Sequence, residues 1–423
     1  MARIVIGVMM LIISSTVLSG CFSMSAFLGA EDTIDRDRDI IEKSEKARHK
    51  VPLWSWLQEF EDFRIIDLPI IPGSHNSASS KPRRDTNGPL YASSRQQELS
   101  ISQQLYSGVR LIDLRLRYVA KEDKSAAVKL SLAPAAEDEE EESTWATNIV
   151  VSHTYDSSYT LATALQEMFD FLEKNPSEFV ILLLRADWKY DEKFSRDEEK
   201  ADRVHALSTV LKGSKLSFAG GSQVGFDSRV KDVQGKVLLV SRWLHEDPDR
   251  NTDLLTANGV NHFVWEQVYK VCDLWEDKNP QLASDKLDAF MKRTDFFRGL
   301  GTSIEAQIQD GDSFICNAMP RSALFIGVAL DRTDTPVPPC IRSPQWTRWF
   351  LENLESNKQW RSNKRNSSNQ FTPIGVVLSD FVNPITMKRL LEVGFRMAGK
   401  PDLRASFDLK VFNSFDLKCF YRK

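Results

Sequence analysis

From residue 51 onward the chain alternates short apolar runs with longer stretches of helical spacing. The apolar runs fall at 64–71, 109–115, 148–152, 179–184, 236–241, 262–265 and 374–378, each of strand length. Between them, 161–174, 197–211, 284–293, 344–355 and 384–394 predict helices. In the first of these, Leu161, Leu165, Met168, Phe169 and Leu172 follow helical spacing, so that stripe should face the core. Strands alternating with helices predict a parallel sheet covered by helices. Units of this number fit a (βα)8 barrel, whose chemistry sits at the C-terminal strand ends. A doubly wound open sheet gives the same alternation, so the pattern leaves both architectures open.

The ends and two interior stretches depart from this alternation. Residues 1–30 begin with a basic end followed by a mostly apolar segment, the form of a secretory leader. Leu18-Ser19-Gly20-Cys21 also resembles a bacterial lipobox, in which the cysteine is lipidated. A cleaved signal, a lipoprotein at Cys21 and a retained anchor all predict a secreted or membrane-anchored protein on the extracytoplasmic side. Residues 31–50 mix both charges densely and read as a linker, and 51–400 as a single folded unit. Within it, 119–147 carries the run Glu137-Asp138-Glu139-Glu140-Glu141-Glu142, whose like charges cannot pack together and predict a loop insertion. The tail, 401–423, repeats Ser406-Phe407-Asp408-Leu409-Lys410 as Ser414-Phe415-Asp416-Leu417-Lys418.

Composition narrows the function classes. Hydrophobic residues at 42% supply an ordinary globular core, and a net charge of −4 gives no support to a nucleic-acid partner. No Gly-x-Gly-x-x-Gly follows the first strand and there is no Walker loop, so nucleotide binding is unsupported. Cys21, Cys272, Cys316, Cys340 and Cys419 include no Cys-x-x-Cys pair, which disfavours a zinc site. Disulfides and buried thiols both remain open for the last four. The chain is expected to act as a monomer.

Candidate chemistry gathers at the predicted strand ends. The first run leads into Pro72-Gly73-Ser74-His75-Asn76-Ser77. The second, Gly108-Val109-Arg110-Leu111-Ile112-Asp113-Leu114-Arg115, places Asp113 and Arg115 on one face, since strand residues two apart share a side. The third ends at Ser152-His153 and the last at Ser379-Asp380. Two histidines, an arginine and carboxylates at one rim suit metal-free phosphoryl chemistry. One imidazole takes a proton from the attacking hydroxyl, and the other gives one to the leaving oxygen. A guanidinium offers forked donors to the phosphate and stabilises its developing charge.

These stretches, with Phe171-Leu172-Glu173-Lys174-Asn175-Pro176-Ser177-Glu178, resemble the phosphatidylinositol-specific phospholipase C X-domain superfamily, in particular its bacterial-type, metal-independent branch. The resemblance implies an α/β fold of the distorted TIM-type (β/α)8 kind in a single catalytic domain. It also implies cleavage of phosphatidylinositol or glycosylphosphatidylinositol at a membrane surface, giving diacylglycerol and cyclic inositol 1,2-phosphate. Carried onto matching positions, His75 is the general base, Asp380 its orienting carboxylate, and His153 the general acid. Arg115 binds phosphate, and Asp113 holds the arginine–histidine network. Arg185, Arg242, Gln267 and Tyr269 stand where the bacterial enzymes place inositol contacts, Gln267 in place of an expected aspartate. Asn76 replaces another aspartate and resembles the His-Asn pair of calcium-dependent members. Arg115, however, occupies the position of one of their acidic calcium ligands, and its charge would repel the metal. No cofactor is expected, calcium included. Two competing functions are a metal-dependent glycerophosphodiesterase or sphingomyelinase-D-like barrel, and a catalytically silent inositol-lipid-binding protein.

Overall fold

The structure is a computed structural model and describes residues 49–80, 97–118, 149–153, 155–186, 197–219, 225–241, 255, 259–264, 270–273, 322–326, 375–379 and 382–407. Its main strands are β2 (Ile70–Ser74), β3 (Leu111–Tyr118), β4 (Ile149–His153), β5 (Tyr155–Thr160), β6 (Val180–Ala186), β7 (Ser217–Ala219), β8 (Lys236–Ser241), β9 (Phe263–Val264), β10 (Lys270–Asp273), β11 (Ser322–Ile326) and β12 (Gly375–Ser379). A separate parallel pair joins β1 (Lys50–Pro52) to β13 (Arg404–Ser406). Four helices are described: α1 (Ile101–Tyr106), α2 (Leu161–Lys174), α3 (Asp197–Gly213) and α4 (Pro384–Met397).

The sheet runs β10-β11-β12-β2-β3-β6-β8-β7, with β9 also on β8 and β4-β5 branching from β3. Every pairing along this path is parallel. The predicted parallel α/β sheet is therefore present. Barrel closure is not: among the described residues no ladder joins β9 or β7 to β10.

Alternate strand residues feed two apolar layers, which explains why the strands read as continuous apolar runs. Ile71, Leu111, Ile181, Leu183, Leu238, Val240, Val376 and Leu378 pack on one face. That layer includes Leu53, Trp56, Leu57 and Phe60 from a short 3-10 helix, Leu53–Phe60. The opposite strand residues, among them Ile112, Leu114, Leu182, Leu184 and Leu239, join side chains of α1, α2, α3 and α4. In α2 the predicted stripe is buried at Leu161, Leu165, Met168 and Leu172. Phe169 is partly buried against the core, and Phe171, absent from the predicted stripe, is fully buried.

Two differences from the sequence reading matter for the site. The run 64–71 does not form one strand: Ile65–Asp67 is a 3-10 turn, and β2 begins at Ile70. β2 then continues through Pro72-Gly73-Ser74, so the turn starts at His75. Gly73 is required there by crowding, since a Cβ would lie 2.6 Å from Leu378 Cδ2 and 3.2 Å from Leu111 Cβ. Secondly, the run at 148–152, counted by pattern among the parallel strands, pairs antiparallel with β3 and β5. Apolar periodicity carries no strand direction, so the pattern could not tell this pairing from a parallel one.

Residues 1–30, 119–147, 284–293, 344–355, Cys21, Cys316, Cys340 and Cys419 lie outside the described residues, and of Cys272 only its place on β10 is described. No helix among the described residues is long and apolar enough to cross a membrane.

Candidate active site

The apolar face bearing Ile71, Leu111, Ile181 and Leu183 turns polar at the C-terminal ends of the same strands. On β3 it continues from Leu111 to Asp113 and Arg115, and on β2 from Ile71 past Gly73 to His75. Register places Asp113 beside Leu183, and Arg115 directly beside Arg185 on β6. Two cationic side chains thus start from neighbouring positions on one face, a placement that favours an anion between them.

His75 follows the last β2 residue, and its backbone N–H donates to Ser379 O at 3.1 Å. The residue is 7% exposed. Its Nε2 receives two donors: Arg115 Nη2 at 3.1 Å and Asn76 Nδ2 at 3.1 Å. A guanidinium can only donate, so Nε2 carries the lone pair and, in the neutral ring, Nδ1 carries the proton. Asp113 Oδ2 lies 4.0 Å from Nε2 and accepts the Asn76 backbone N–H at 3.1 Å. Asn76 adopts φ 45°, the left-handed region that asparagine tolerates better than most residues. The chain therefore turns sharply after the histidine while the amide side chain folds back onto the ring.

Serines brace this turn. Ser77 Oγ accepts the Asp113 N–H at 2.8 Å and donates to Ser74 O at 2.9 Å. Ser77 N in turn donates to Asp113 O at 2.8 Å. His75 and Asp113 are thereby tied together through backbone as well as side chains.

His153 ends β4. Since β6 occupies one edge of β3 along Leu111–Leu116, β2 and β4 must share the other. β2 pairs at Leu111 and Ile112, and β4 pairs at Leu116 to Tyr118 and runs back towards β2. The β4 chain thus heads to its end at His153 along the β3 edge that β2 leaves at Ser74. Asp380, Arg242, Gln267 and Tyr269 lie outside the described residues.

No protein-family model and no curated protein matches the chain. Among solved structures, the phosphatidylinositol-specific phospholipase C from Listeria monocytogenes superposes with a TM-score of 0.50 at 17% identity, over 81% of this chain and 99% of that one. A mutant of the phosphatidylinositol-specific phospholipase C from Staphylococcus aureus gives 0.47 at 14% identity, over 79% and 96%. A calcium-dependent phosphoinositol-specific phospholipase C from a Gram-negative Pseudomonas gives 0.31 at 16% identity, over 51% and 70%. The fold is similar to that of the Listeria phospholipase.

The sequence did not mark the structural role of some residues that organise this fold around the site. Gln97, fully buried, bonds to the backbone of both His75 and Ser379. Arg110, in the same motif as Asp113 and Arg115, is buried beneath the site rather than in it. Its Nε and Nη2 donate to Glu178 Oε2 at 2.7 and 2.5 Å, and its Nη1 donates to Leu105 O and Val109 O. Its guanidinium carbon sits 4.9 Å from the Phe171 ring centroid, where the ring face attracts a cation. Burial pushes the Glu178 carboxyl up and the Arg110 guanidinium down, each opposed by the other's charge.

Proposed function

We propose that the chain is a phosphodiesterase that cleaves phosphatidylinositol or a glycosylphosphatidylinositol by intramolecular attack, using two histidines and no metal. The observation carrying this reading is the contact of Arg115 Nη2 with His75 Nε2 at the polar end of an otherwise apolar strand face. A phosphate bound by Arg115 would draw the guanidinium from the ring. The freed Nε2 lone pair would then face the inositol 2-hydroxyl next to that phosphate. His75 takes the hydroxyl proton as oxygen attacks phosphorus, and the bond to the glycerol oxygen breaks. His153 protonates that leaving oxygen, and the products are diacylglycerol and cyclic inositol 1,2-phosphate. Holding hydroxyl and phosphate in one molecule contributes much of the rate, because the attack needs no second encounter.

In this reading Asp113 holds the His75 turn through the Asn76 N–H, and Asp380 accepts the proton-bearing Nδ1 side of His75. Arg185, beside Arg115, assists with the anionic headgroup, and Arg242, Gln267 and Tyr269 contact the ring. The same reading would have the parallel sheet curl into a distorted TIM-type barrel around these groups. Metal independence is supported by the pairing of Arg115 with Arg185. A divalent cation bound at Asp113 would sit beside two fixed positive charges.

Phosphatidylinositol with a tritiated inositol ring, incubated with the protein in EDTA, tests the assignment. The expected result is release of water-soluble inositol phosphate, lost by at least about 100-fold in His75→Ala and in His153→Ala. Activity appearing only with added metal would favour the glycerophosphodiesterase-like alternative. No release under either condition would favour a silent lipid-binding protein.

A further inference from the structure

Gln97 lies next to no residue of the candidate chemistry in sequence, yet its side chain joins two strand ends at the site. It is 0% exposed. Its Nε2 donates to His75 O at 2.8 Å and to Ser379 O at 3.0 Å. Its Oε1 accepts the N–H of Val382 at 3.1 Å. Among the described residues the rung from His75 N–H to Ser379 O is the last between these strand ends, and the chain turns away at Asn76. Beyond that rung the primary amide of Gln97 takes the place of a neighbouring strand. It uses both of its donors and its acceptor on buried backbone, sharing Ser379 O with the His75 N–H. His75 is consequently held at its N–H by Ser379, at its carbonyl by Gln97, and through the Asn76 N–H by Asp113.

We infer that Gln97 is a positioning residue: it fixes the backbone from which the His75 imidazole projects, and thereby sets the placement of Nε2 for proton abstraction. The inference rests on the phosphodiesterase reading above. A side chain anchored at its Cα by three hydrogen-bonded groups has little freedom to drift. Displacement of a reacting group by about 1 Å costs on the order of 100-fold in rate. Such an effect falls on the chemical step rather than on substrate binding, because Gln97 is buried behind the histidine's main chain.

The test uses the full chain with phosphatidylinositol in mixed micelles. Gln97→Leu keeps the approximate size and removes all three hydrogen bonds. The expected result is a kcat lower by about 10- to 100-fold with KM changed less than about 3-fold. Gln97→Glu supplies the readout that lost packing would not move. Its protonated carboxyl keeps one donor and the acceptor, whereas its ionised form turns an anion towards two carbonyls. The ratio of its kcat to that of the unsubstituted chain should fall as pH rises through the carboxyl titration. If Gln97→Leu does not fold, as judged by near-UV circular dichroism, that ratio decides. With His75→Ala inactive in the same assay, unchanged kcat in Gln97→Leu or a flat Gln97→Glu ratio overturns the role of Gln97 alone. Full activity in His75→Ala, or no turnover by the unsubstituted chain, overturns the reading of the site and this inference together.

Discussion

At Asn76, conformation and chemistry meet in one residue. Its φ of 45° suits asparagine or glycine, and its amide nitrogen sits 3.1 Å from His75 Nε2. Two substitutions separate these roles. Asn76→Ala forces a Cβ-bearing residue without a local hydrogen-bonding side chain into the left-handed region, and should destabilise the protein by about 1–2 kcal/mol. Asn76→Gly removes the amide without that strain and should cost a few tenths of that. Both lose the ring contact, so both should lower kcat by a similar factor, about 10-fold or more. Urea unfolding beside initial rates measures the pair, and wild-type kcat in Asn76→Gly would remove the amide from the account.

Among the elements, β2, β3 and β6 meet at Arg110. Its N–H donates to Pro72 O at 2.8 Å, and its carbonyl accepts from Ile181 N at 2.7 Å, while its side chain reaches Glu178 before β6. Removing one charge of a fully buried pair leaves the other without compensation. Glu178→Gln should therefore destabilise by about 3–5 kcal/mol, with the double substitution Arg110→Met, Glu178→Leu recovering a large part. Chemical denaturation of the three variants checks both statements. The β3–β4 connection makes a different prediction. Tyr118 and Ile149 are antiparallel partners, so the strands can be joined by a short hairpin turn. Replacing 119–148 by a four-residue Asn-Gly turn should leave phosphodiesterase activity within about 3-fold and raise stability by up to about 2 kcal/mol through reduced loop-closure entropy. Thermal unfolding and initial rates test that.

Over the whole molecule, what was legible in the sequence follows from what pattern can encode. Burial on both faces made β3, β6, β8 and β12 readable as apolar runs, and two-residue alternation put Asp113 and Arg115 on one face. Pattern did not reveal that β4 runs antiparallel, nor did it flag β10, which is only four residues long and half polar. β11 lies in the apolar run 323–330, absent from the predicted strands. Gln97 was invisible for a different reason: it bonds to residues 22, 282 and 285 positions away, and no local spacing encodes such a partnership. Arg110 was legible as part of a motif but not as a buried ion pair, because Glu178 is 68 residues distant. Candidate residues such as His75, Asp113 and Arg115 could be picked out at strand ends, whereas the contacts that hold them needed three dimensions.

Metal-free, intramolecular cleavage with His75 as base leaves a distinctive first product. Phosphorus-31 NMR of phosphatidylinositol micelles turned over by the full chain in excess EDTA tests it most directly. The lipid phosphodiester resonance should be replaced first by that of a five-membered cyclic phosphodiester, with no such conversion by His75→Ala. An acyclic inositol phosphate as the first product, or conversion that stops when metal is removed, would contradict it.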